Sequence, residues 1–477
     1  MSQNFGRRFV NWLKGRVGLQ TNVLRPVPEY SMNPFYWLGA LTAMAFGLQA
    51  LTGLLMMIYY VPSTDQAYSS TLFIIKNVPL GWLIETVHLY GAYSMILLAF
   101  LHLFRGYFVS VQKRPREMMW VVGMLMGLLV LGMGLTGYLL PWTVVSKSAS
   151  DVSIGMLGFL PAQIGNIITF LIAGTGSSAA ELTRFFDLHI VVLPAGLLSL
   201  LVLKMYMFEA HGASKPPAWE DGREPPGVEK QREYPWWPSV YLYFAMIGSV
   251  FIAAILLASA LFPIVLAPEF SPAAASAYVP QPDWYFLWMY QILKFAPFEG
   301  QGIFYALGGV TVLALFLVLL PFIDRGRHRD PWSRPLYVML GMIIIAELVT
   351  LTVWGYYTPG AIIPGAQAIM VTGGVFVAMC LVTAFAFRLH NGRFGIGLPF
   401  KGPFRALGLP FANLRFTGAF LVPLVVGSVC FANVVGSLTL GAAAGSYVVV
   451  NIVVLIVSFY AMARMMRRLT IRNRLER

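Results

Sequence analysis

The sequence predicts an all-α integral membrane protein. Of its 477 residues, 58% are hydrophobic and only 11% are charged, and the mean hydropathy is +0.71. Soluble globular domains carry about twice that share of charged residues. Apolar stretches of about 20 residues, the helix length needed to cross a hydrocarbon core of about 30 Å, recur along the chain. Both observations indicate a bundle of membrane-spanning helices.

About ten transmembrane helices are predicted from these stretches. In chain order they cover residues 33–60, 81–108, 116–140, 183–208, 238–262, 303–323, 335–356, 367–387, 416–437 and 444–463. An even number of spans places both termini on one side of the membrane. All but four of the 33 lysines and arginines fall on that side, the exceptions being Lys76, Lys147, Arg184 and Lys294. The positive-inside rule therefore predicts a multi-pass protein of the cell membrane with cytoplasmic termini.

Polar stretches divide the chain into four parts. The first four spans form an N-terminal helical domain, residues 1–210, and a cytoplasmic linker rich in Pro, Glu and Lys follows at 211–237. Residues 238–387 contain the next four spans and a long aromatic loop. That loop is too apolar for a solvated connector, which predicts that it packs on the bundle and lines a site. Residues 388–477 form an appended two-helix hairpin.

Three of the six histidines lie in predicted spans, where an ionisable side chain is costly and usually functional. His88 and His102 are 14 residues apart on the second helix, so they project from nearly the same face, about 21 Å apart along the axis. His189 opens the fourth helix and is expected to face His88. Two neutral imidazoles are the ligand set of a low-spin haem iron, which predicts a stack of two haem sites. The alternative is that each histidine only hydrogen-bonds a neighbouring backbone group.

Several sequence motifs resemble cytochrome b of the bc and bf complexes. They are KRPRE at 113–117 followed by Trp120, GYLLPW at 137–142, LTRFFDLH at 182–189 and PDWYFLWMYQILK at 282–294. The resemblance covers about two thirds of the chain and stops before the last hairpin. It is strongest to the chloroplast and cyanobacterial type, in which the four-helix and three-helix parts are separate chains. Here the two parts are fused.

The resemblance implies two b-type haems in an N-terminal four-helix haem-binding bundle. His88 with His189 would hold the outer haem, and His102 would hold the inner one. Lys204 stands where the family has the second ligand of the inner haem, and its neutral amine has a lone pair for iron. The alternatives are a lysine that extends to the cytoplasmic surface, a different inner ligand, or a bundle without an inner haem.

Basic and small residues near these ligands also match the family. Arg105 and Arg184 resemble its haem-propionate partners, although an anchor at the basic side of the membrane is the alternative for Arg105. Glu85 takes the place of an arginine near the outer haem. Four glycines on the first and third helices repeat the 14-residue spacing, either to admit porphyrin planes or to ease helix contact. They are Gly39, Gly53, Gly123 and Gly137.

The PDWY motif predicts a quinol-oxidising site at the outer face. Quinol oxidation releases protons, so it requires a carboxylate near the quinol oxygen and a dry aromatic pocket. Asp283 resembles the family glutamate that takes a quinol proton but is one methylene shorter, and Tyr285 is expected to donate to the quinone carbonyl. The stretch at 151–161, with Gly155 near the ring, would form the opposite wall. A turn-forming acid after Pro282 and a tyrosine used only for packing are the alternatives.

Together these features predict the cytochrome b subunit of a respiratory quinol:acceptor oxidoreductase that couples quinol oxidation to proton translocation. Cys380 and Cys430 fall in predicted spans and cannot ligate an iron–sulfur cluster of the Rieske kind, so a Rieske iron–sulfur protein is expected as a partner. We also expect cytochrome c or a terminal oxidase as the electron acceptor, and a homodimeric complex in contact with membrane lipid. We expect no binding of nucleic acid, despite the net charge of +13. A dihaem membrane anchor of a hydrogenase or dehydrogenase and a polytopic transporter remain as rival functions.

Overall fold

The computed structural model is mostly helical and describes residues 11–12, 15–16, 26–158, 162–174, 178–220 and 233–390. Within these ranges, eight helical segments are long and apolar enough to cross a membrane. They are Pro34–Met57, Gly81–Val109, Glu117–Leu139, Ser178–His211, Trp236–Leu261, Ile303–Ile323, Pro335–Tyr357 and Gly365–Arg388. The predicted all-α membrane architecture is confirmed, and these segments match the first eight predicted spans. The other two, 416–437 and 444–463, lie outside the described residues.

Fifteen α-helices are labelled here in chain order over the described ranges. They are α1 Leu38–Met57, α2 Ala67–Asn77, α3 Gly81–Val109, α4 Glu117–Leu139, α5 Val144–Leu157, α6 Ala162–Ala173, α7 Ser178–Asp187, α8 Leu193–His211, α9 Pro217–Glu220, α10 Tyr241–Leu261, α11 Pro272–Ala277, α12 Leu287–Leu293, α13 Ile303–Ile323, α14 Pro335–Tyr357 and α15 Gly365–His390. Two short strands, β1 Val27–Pro28 and β2 Glu233–Tyr234, pair antiparallel.

The N-terminal bundle consists of α1, α3, α4 and α8. Helix α1 packs along α3, and α4 packs along α8. Because each helix contacts lipid on one side and protein on the other, all four are apolar around most of their circumference. The buried core between them consists of Ala45, Met95, Ile96, Val130, Met133 and Leu197, and Tyr285 from the aromatic loop joins it. The aromatic loop therefore packs on the bundle, as its composition predicted.

The fourth spanning segment begins five residues earlier than predicted. Its first helix, α7, contains Glu181, a charged residue that a hydropathy pattern places outside a span. The structure buries the Glu181 carboxylate within 3.2 Å of the Lys147 ammonium, which also pairs with the exposed Asp151. Because the charge is neutralised by a residue on α5, the helix continues through this position.

A π-helical turn, Leu188–Val192, joins α7 to α8 and contains His189. Pro194 follows in the first turn of α8, where its ring would clash with the carbonyl of residue 190 in a regular α-helix. The wider turn avoids this clash and holds one extra residue. Consequently, the 15 residues from His189 to Lys204 turn through about the same angle as the 14 residues from His88 to His102.

The C-terminal helices pack against the end of α3. Helix α14 contacts α3, α12 and α15. The Tyr107 hydroxyl of α3 donates to the Tyr337 carbonyl of α14 at 2.8 Å, and the Trp120 indole of α4 donates to the Leu317 carbonyl of α13 at 2.7 Å. Both bonds use aromatic side chains that are otherwise buried among apolar residues. They fix the second half of the chain to the first.

A buried ion cluster strengthens the same junction. Asp324 follows α13, Arg334 precedes α14, and their side chains are 3% and 6% exposed and form an ion pair. The Lys113 ammonium, from the loop between α3 and α4, lies 3.2 Å from the Asp324 carboxylate. Arg334 also donates to the Ser110 hydroxyl at the end of α3. One carboxylate therefore compensates two cations that come from both halves of the chain.

Removal of the Asp324 charge is expected to destabilise the protein. In Asp324→Asn, Arg334 and Lys113 keep their buried charges without an anionic partner, which costs about 3 to 5 kcal/mol. We expect a lower thermal unfolding midpoint in detergent for this variant. The exposed neighbour Arg325 provides the control, because Arg325→Gln should leave the midpoint within the error of wild type. Equal midpoints for both variants would contradict the proposed importance of the cluster.

Candidate haem and quinol sites

His88 and His189 face each other across the bundle. Their ring centroids are 6.3 Å apart and their planes are inclined by 72°. With metal–imidazole bonds of about 2 Å on each side, two imidazoles that bind one iron from opposite faces have centroids roughly 6 Å apart. The pair therefore has the separation that a bis-histidine haem iron requires.

Two threonine hydroxyls orient these imidazoles. Thr52 Oγ1 lies 2.8 Å from His88 Nδ1, and Thr136 Oγ1 lies 3.2 Å from His189 Nδ1. Each hydroxyl donates its single proton to a carbonyl of its own helix, that of Leu48 or Gly132. With its own proton used in this way, each hydroxyl can accept a hydrogen bond from Nδ1–H, and this tautomer leaves the lone pair of Nε2 for a metal.

The four predicted glycines each lie opposite one candidate ligand. An added Cβ atom at any of them would come within 3.3 Å of a ligand side chain. The closest contacts would be Gly53 to His88 Cε1 at 3.3 Å, Gly39 to His102 Cε1 at 3.0 Å, Gly137 to His189 Cε1 at 2.5 Å and Gly123 to Lys204 Nζ at 2.8 Å. Glycine at these positions therefore leaves room for the ligand side chains, most clearly at Gly137, where the added Cβ would come closest. The residues present fit two haems at two depths.

The second site, at His102, differs from the first in its hydrogen bonds. Lys204 lies opposite Gly123 and close enough to His102 to interact with it electrostatically. His102 Nδ1 is buried and has no hydrogen-bond partner among the described residues. The residues before the two glycines at this depth are Leu38 and Val122, which have no hydroxyl group. This site therefore contains one imidazole and one amine.

The two predicted propionate partners occupy different environments. The Arg105 guanidinium lies 4.1 Å from the Tyr36 ring centroid, and its Nη2 atom is buried without a hydrogen-bond partner among the described residues. Such an orphaned donor, one turn from His102, suits an anionic group. Arg184 instead lies over the Phe170 ring of α6 and donates to the Leu171 carbonyl at 3.4 Å. Its role toward a propionate stays a prediction.

Glu85 lies on α3 one turn before His88. Its Oε2 atom is buried and has no hydrogen-bond partner in the part of the chain that the structure describes. A carboxylate at this position cannot act as a donor to a haem propionate unless it carries a proton.

A cavity of about 150 Å³ lies beside the first site. A void of about this volume holds one six-membered ring. Its walls come from α4, α5, the aromatic loop and α12. The lining residues are Leu135, Tyr138, Ala149, Val152, Ser153, Met156, Pro280, Gln281, Pro282, Asp283, Tyr285, Phe286, Met289, Tyr290 and Leu293. Helix α5 contributes a wall as predicted, but Gly155 is not among its lining residues.

The Asp283 carboxylate lies at the wall of this cavity and is held by tyrosines. Tyr93 donates to Oδ1 at 2.8 Å, and the Tyr285 hydroxyl lies 3.5 Å from Oδ2. Burial raises the pKa of Asp283 to about 6, against the effect of these hydroxyl groups. The carboxyl is therefore mostly ionised at neutral pH and able to accept a proton. Tyr285 also donates to the Gly134 carbonyl at 3.3 Å.

The cavity and the first ligand pair share one turn of α4. Leu135 and Tyr138 line the cavity, while Thr136 and Gly137 between them contact His189. Successive residues of a helix point about 100° apart, so one turn serves both sites. The cavity and the His189 imidazole therefore lie on different faces of the same turn of α4.

Sequence reasoning missed Thr52, Thr136 and Tyr93. The two threonines carry a recognisable signal, because each immediately precedes a predicted glycine, at 52–53 and at 136–137. The same Thr–Gly pair therefore repeats on α1 and α4 at the depth of the first site only. Tyr93 has no comparable signal, since a tyrosine in an apolar helix is ordinary.

Sequence comparison identifies two family domains in the chain. A profile described as Cytochrome b/b6/petB matches residues 23–212, and one described as Cytochrome b(C-terminal)/b6/petD matches residues 274–375. The first match contains all four candidate ligands, and the second contains Asp283 and Tyr285. Both halves of the site thus lie within matched domains.

Several relatives share these domains. The cytochrome b subunit of the cytochrome bc complex of Chlorobaculum thiosulfatiphilum is 31% identical over 68% of this chain and 74% of its own length. Cytochrome b of Sulfolobus acidocaldarius is 32% identical over 77% of this chain and 69% of its own length. Cytochrome b6 of Prochlorococcus marinus is 37% identical over 43% of this chain and 96% of its own.

A solved structure of a hyperthermophilic respiratory Complex III superposes with a TM-score of 0.61 and 25% sequence identity, covering 81% of this chain and 98% of the other. The fold, the domain matches and the relatives agree with one another. The chain therefore belongs to the cytochrome b family of cytochrome bc-type complexes, with its b6-like and subunit IV-like parts fused in one polypeptide.

Proposed function

We propose that this chain is the cytochrome b subunit of a respiratory quinol:acceptor oxidoreductase and that it oxidises quinol in the cavity beside Asp283. One observation carries the proposal: a partly buried carboxylate lies at the wall of a ring-sized cavity, and the turn of α4 that lines this cavity also contacts His189. A quinol in this cavity has a proton acceptor on one side and a haem site on the other. Neither rival function requires this juxtaposition.

Asp283 accepts a proton from the quinol hydroxyl. The carboxylate is acceptor-only when ionised, and a pKa of about 6 places it near the working pH of a general base. Leu135, Phe286 and Met289 cover the cavity with apolar side chains and exclude water from the reacting oxygen. Tyr285, the predicted donor to the quinone carbonyl, is directed in the described structure toward Gly134 and Asp283.

His88 and His189 would hold the outer haem, which would supply one-electron transfer. A Rieske iron–sulfur protein is the partner for the other electron, and cytochrome c or a terminal oxidase receives electrons from it. Release of the quinol protons on the Asp283 side would couple electron transfer to proton translocation. In this proposal the loop that contains Asp283 lies at the outer face of the plasma membrane, and both chain termini lie in the cytoplasm. The complex is a homodimer in contact with lipid.

His102 and Lys204 hold the inner haem in this proposal, with Arg105 as a donor to its propionate. The bundle of residues 1–210 carries both haems, the linker 211–237 is cytoplasmic, and the part at 238–387 supplies the quinol-site loop. The predicted hairpin at 388–477, which beyond His390 lies outside the described residues, has no assigned role.

Replacement of Asp283 should impair quinol oxidation selectively. Asp283→Asn is expected to lower the rate by about 10- to 10⁴-fold, because it removes a positioned proton acceptor, and to leave haem content unchanged. In wild type the rate should fall as the pH decreases through about 6, where the carboxylate becomes protonated. This acid limb should be absent from the variant.

The measurement is the steady-state quinol oxidation rate of the purified complex between pH 5 and 9. Asp65→Asn, at an exposed aspartate, is the control and should behave as wild type. Near-wild-type turnover of Asp283→Asn would exclude Asp283 as the essential acceptor.

Replacement of either histidine of the first site should have the same effect on haem content. His88→Ala and His189→Ala are each expected to remove the same haem, because each leaves the iron with one of its two axial ligands. Haem per chain and the reduced-minus-oxidised spectrum measure this, with His328→Ala, at an exposed histidine, as the control. Loss of different haems from the two variants would show that the pairing is wrong.

Ligation by Lys204 has a spectroscopic test. Wild type should contain two low-spin haems, and Lys204→Ala should convert one of them to high spin or lose it. Lys204→His should instead retain two low-spin haems, because it supplies a second imidazole opposite His102. Low-temperature spin resonance and haem counting distinguish these states. Identical spectra for wild type and Lys204→Ala would refute lysine ligation.

A further inference from the structure

Tyr93 connects the haem-binding bundle to the carboxylate of the cavity. It lies on α3, five residues after His88, and its hydroxyl donates to Asp283 Oδ1 at 2.8 Å. The two residues are 190 positions apart in the sequence. The separation of 2.8 Å between the two oxygen atoms is that of a well-formed hydrogen bond from a hydroxyl group.

The Tyr93 ring is fixed by the residues that follow Asp283. Its centroid lies 6.3 Å from that of Trp284, in an edge-to-face arrangement, and 6.3 Å from that of Tyr285. Aromatic contacts of this geometry stabilise a defined ring orientation. The position of the Tyr93 hydroxyl group is therefore fixed. The short Asp283 side chain extends from the loop to this hydroxyl group and accepts its hydrogen bond.

We propose that Tyr93 is a positioning residue for quinol oxidation, whose hydroxyl holds the Asp283 carboxylate in its proton-accepting orientation at the cavity wall. The inference rests on the proposed role of Asp283. An aspartate has two side-chain torsions and reaches only a short distance from its backbone, so its direction depends on the groups that bind its oxygens. Tyr93 binds Oδ1 through one lone pair and leaves the other lone pairs of the carboxylate for a substrate hydroxyl.

The hydrogen bond also affects the charge state of Asp283. Burial raises the pKa of this carboxyl to about 6, and the hydroxyl groups of Tyr93 and Tyr285 act in the opposite direction. The other titratable groups that face it are tyrosines, Tyr138 from α4 and Tyr278 from the loop. No lysine or arginine of the described residues contributes to the pKa of Asp283. Loss of the Tyr93 hydroxyl should therefore raise this pKa further.

Tyr90 provides a matched control on the same helix. Its hydroxyl donates to the Phe262 carbonyl at 2.8 Å, and its ring centroid lies 6.5 Å from that of Tyr93. Tyr90→Phe and Tyr93→Phe thus each remove one hydroxyl group that makes a hydrogen bond of the same length. Only Tyr93→Phe removes a bond to Asp283.

The experiment measures kcat/KM for quinol oxidation by the purified complex between pH 5 and 9, with a short-chain ubiquinol or menaquinol analogue that wild type oxidises. In Tyr93→Phe, the midpoint of the acid limb should move up by about half to one pH unit, as expected for loss of one hydrogen bond of ordinary net strength. The rate should fall roughly three- to tenfold below the midpoint and much less at pH 8. Haem content and spectra should stay as in wild type.

Three further results decide the proposal. Tyr90→Phe should keep the wild-type profile, and Tyr93→Phe in an Asp283→Asn background should cause no additional change in the profile. An unshifted acid limb in Tyr93→Phe, or an equal shift in Tyr90→Phe, would overturn the positioning role. If Asp283→Asn itself has wild-type activity, the proposed quinol site fails; if it is impaired while Tyr93→Phe is not, only the role of Tyr93 fails.

Discussion

The structure depends on the cost of placing polar side chains between apolar helices. Water cannot satisfy a histidine in the bilayer interior, so its nitrogen atoms need partners from neighbouring helices. Thr52 and Thr136 supply such partners at one depth, and each can do so because its own proton already goes to a helix carbonyl. The same constraint explains the ion pair of Glu181 with Lys147. Helix packing and ligand geometry are consequently set by the same contacts.

The two candidate haem sites have different chemical environments. A hydrogen bond from Nδ1 makes an imidazole a stronger donor to iron, and both histidines of the first site have one. His102 has no such bond in the described residues and faces an amine in place of a second imidazole. Differences of this kind change the reduction potential of a haem. The two candidate sites are therefore not equivalent, although the glycine spacing around them is the same.

Regular helix geometry determines how much of this could be predicted from the sequence. The spans, the orientation of His88 toward His189 and the pairing of glycines with ligands follow from hydropathy and from 14-residue spacings, which helix periodicity converts directly into positions. The hydroxyl partners were missed because a threonine in a helix usually binds only its own helix, and the position of Thr52 and Thr136 directly before a predicted glycine is their one distinguishing sign. Tyr93 was missed because its partner is distant in sequence, and only the folded loop brings it close.

The π-helical turn at Leu188–Val192 has a consequence for evolution of the family. It lets the fourth span accommodate an inserted residue without rotating the positions that follow. A homologue with a regular α-helix and one residue fewer between the positions of His189 and Lys204 would present both side chains to the same two depths. An alignment of this chain with such a homologue would require a single-residue gap inside the membrane span. Without that gap, the residue opposite His102 would be misassigned by one position.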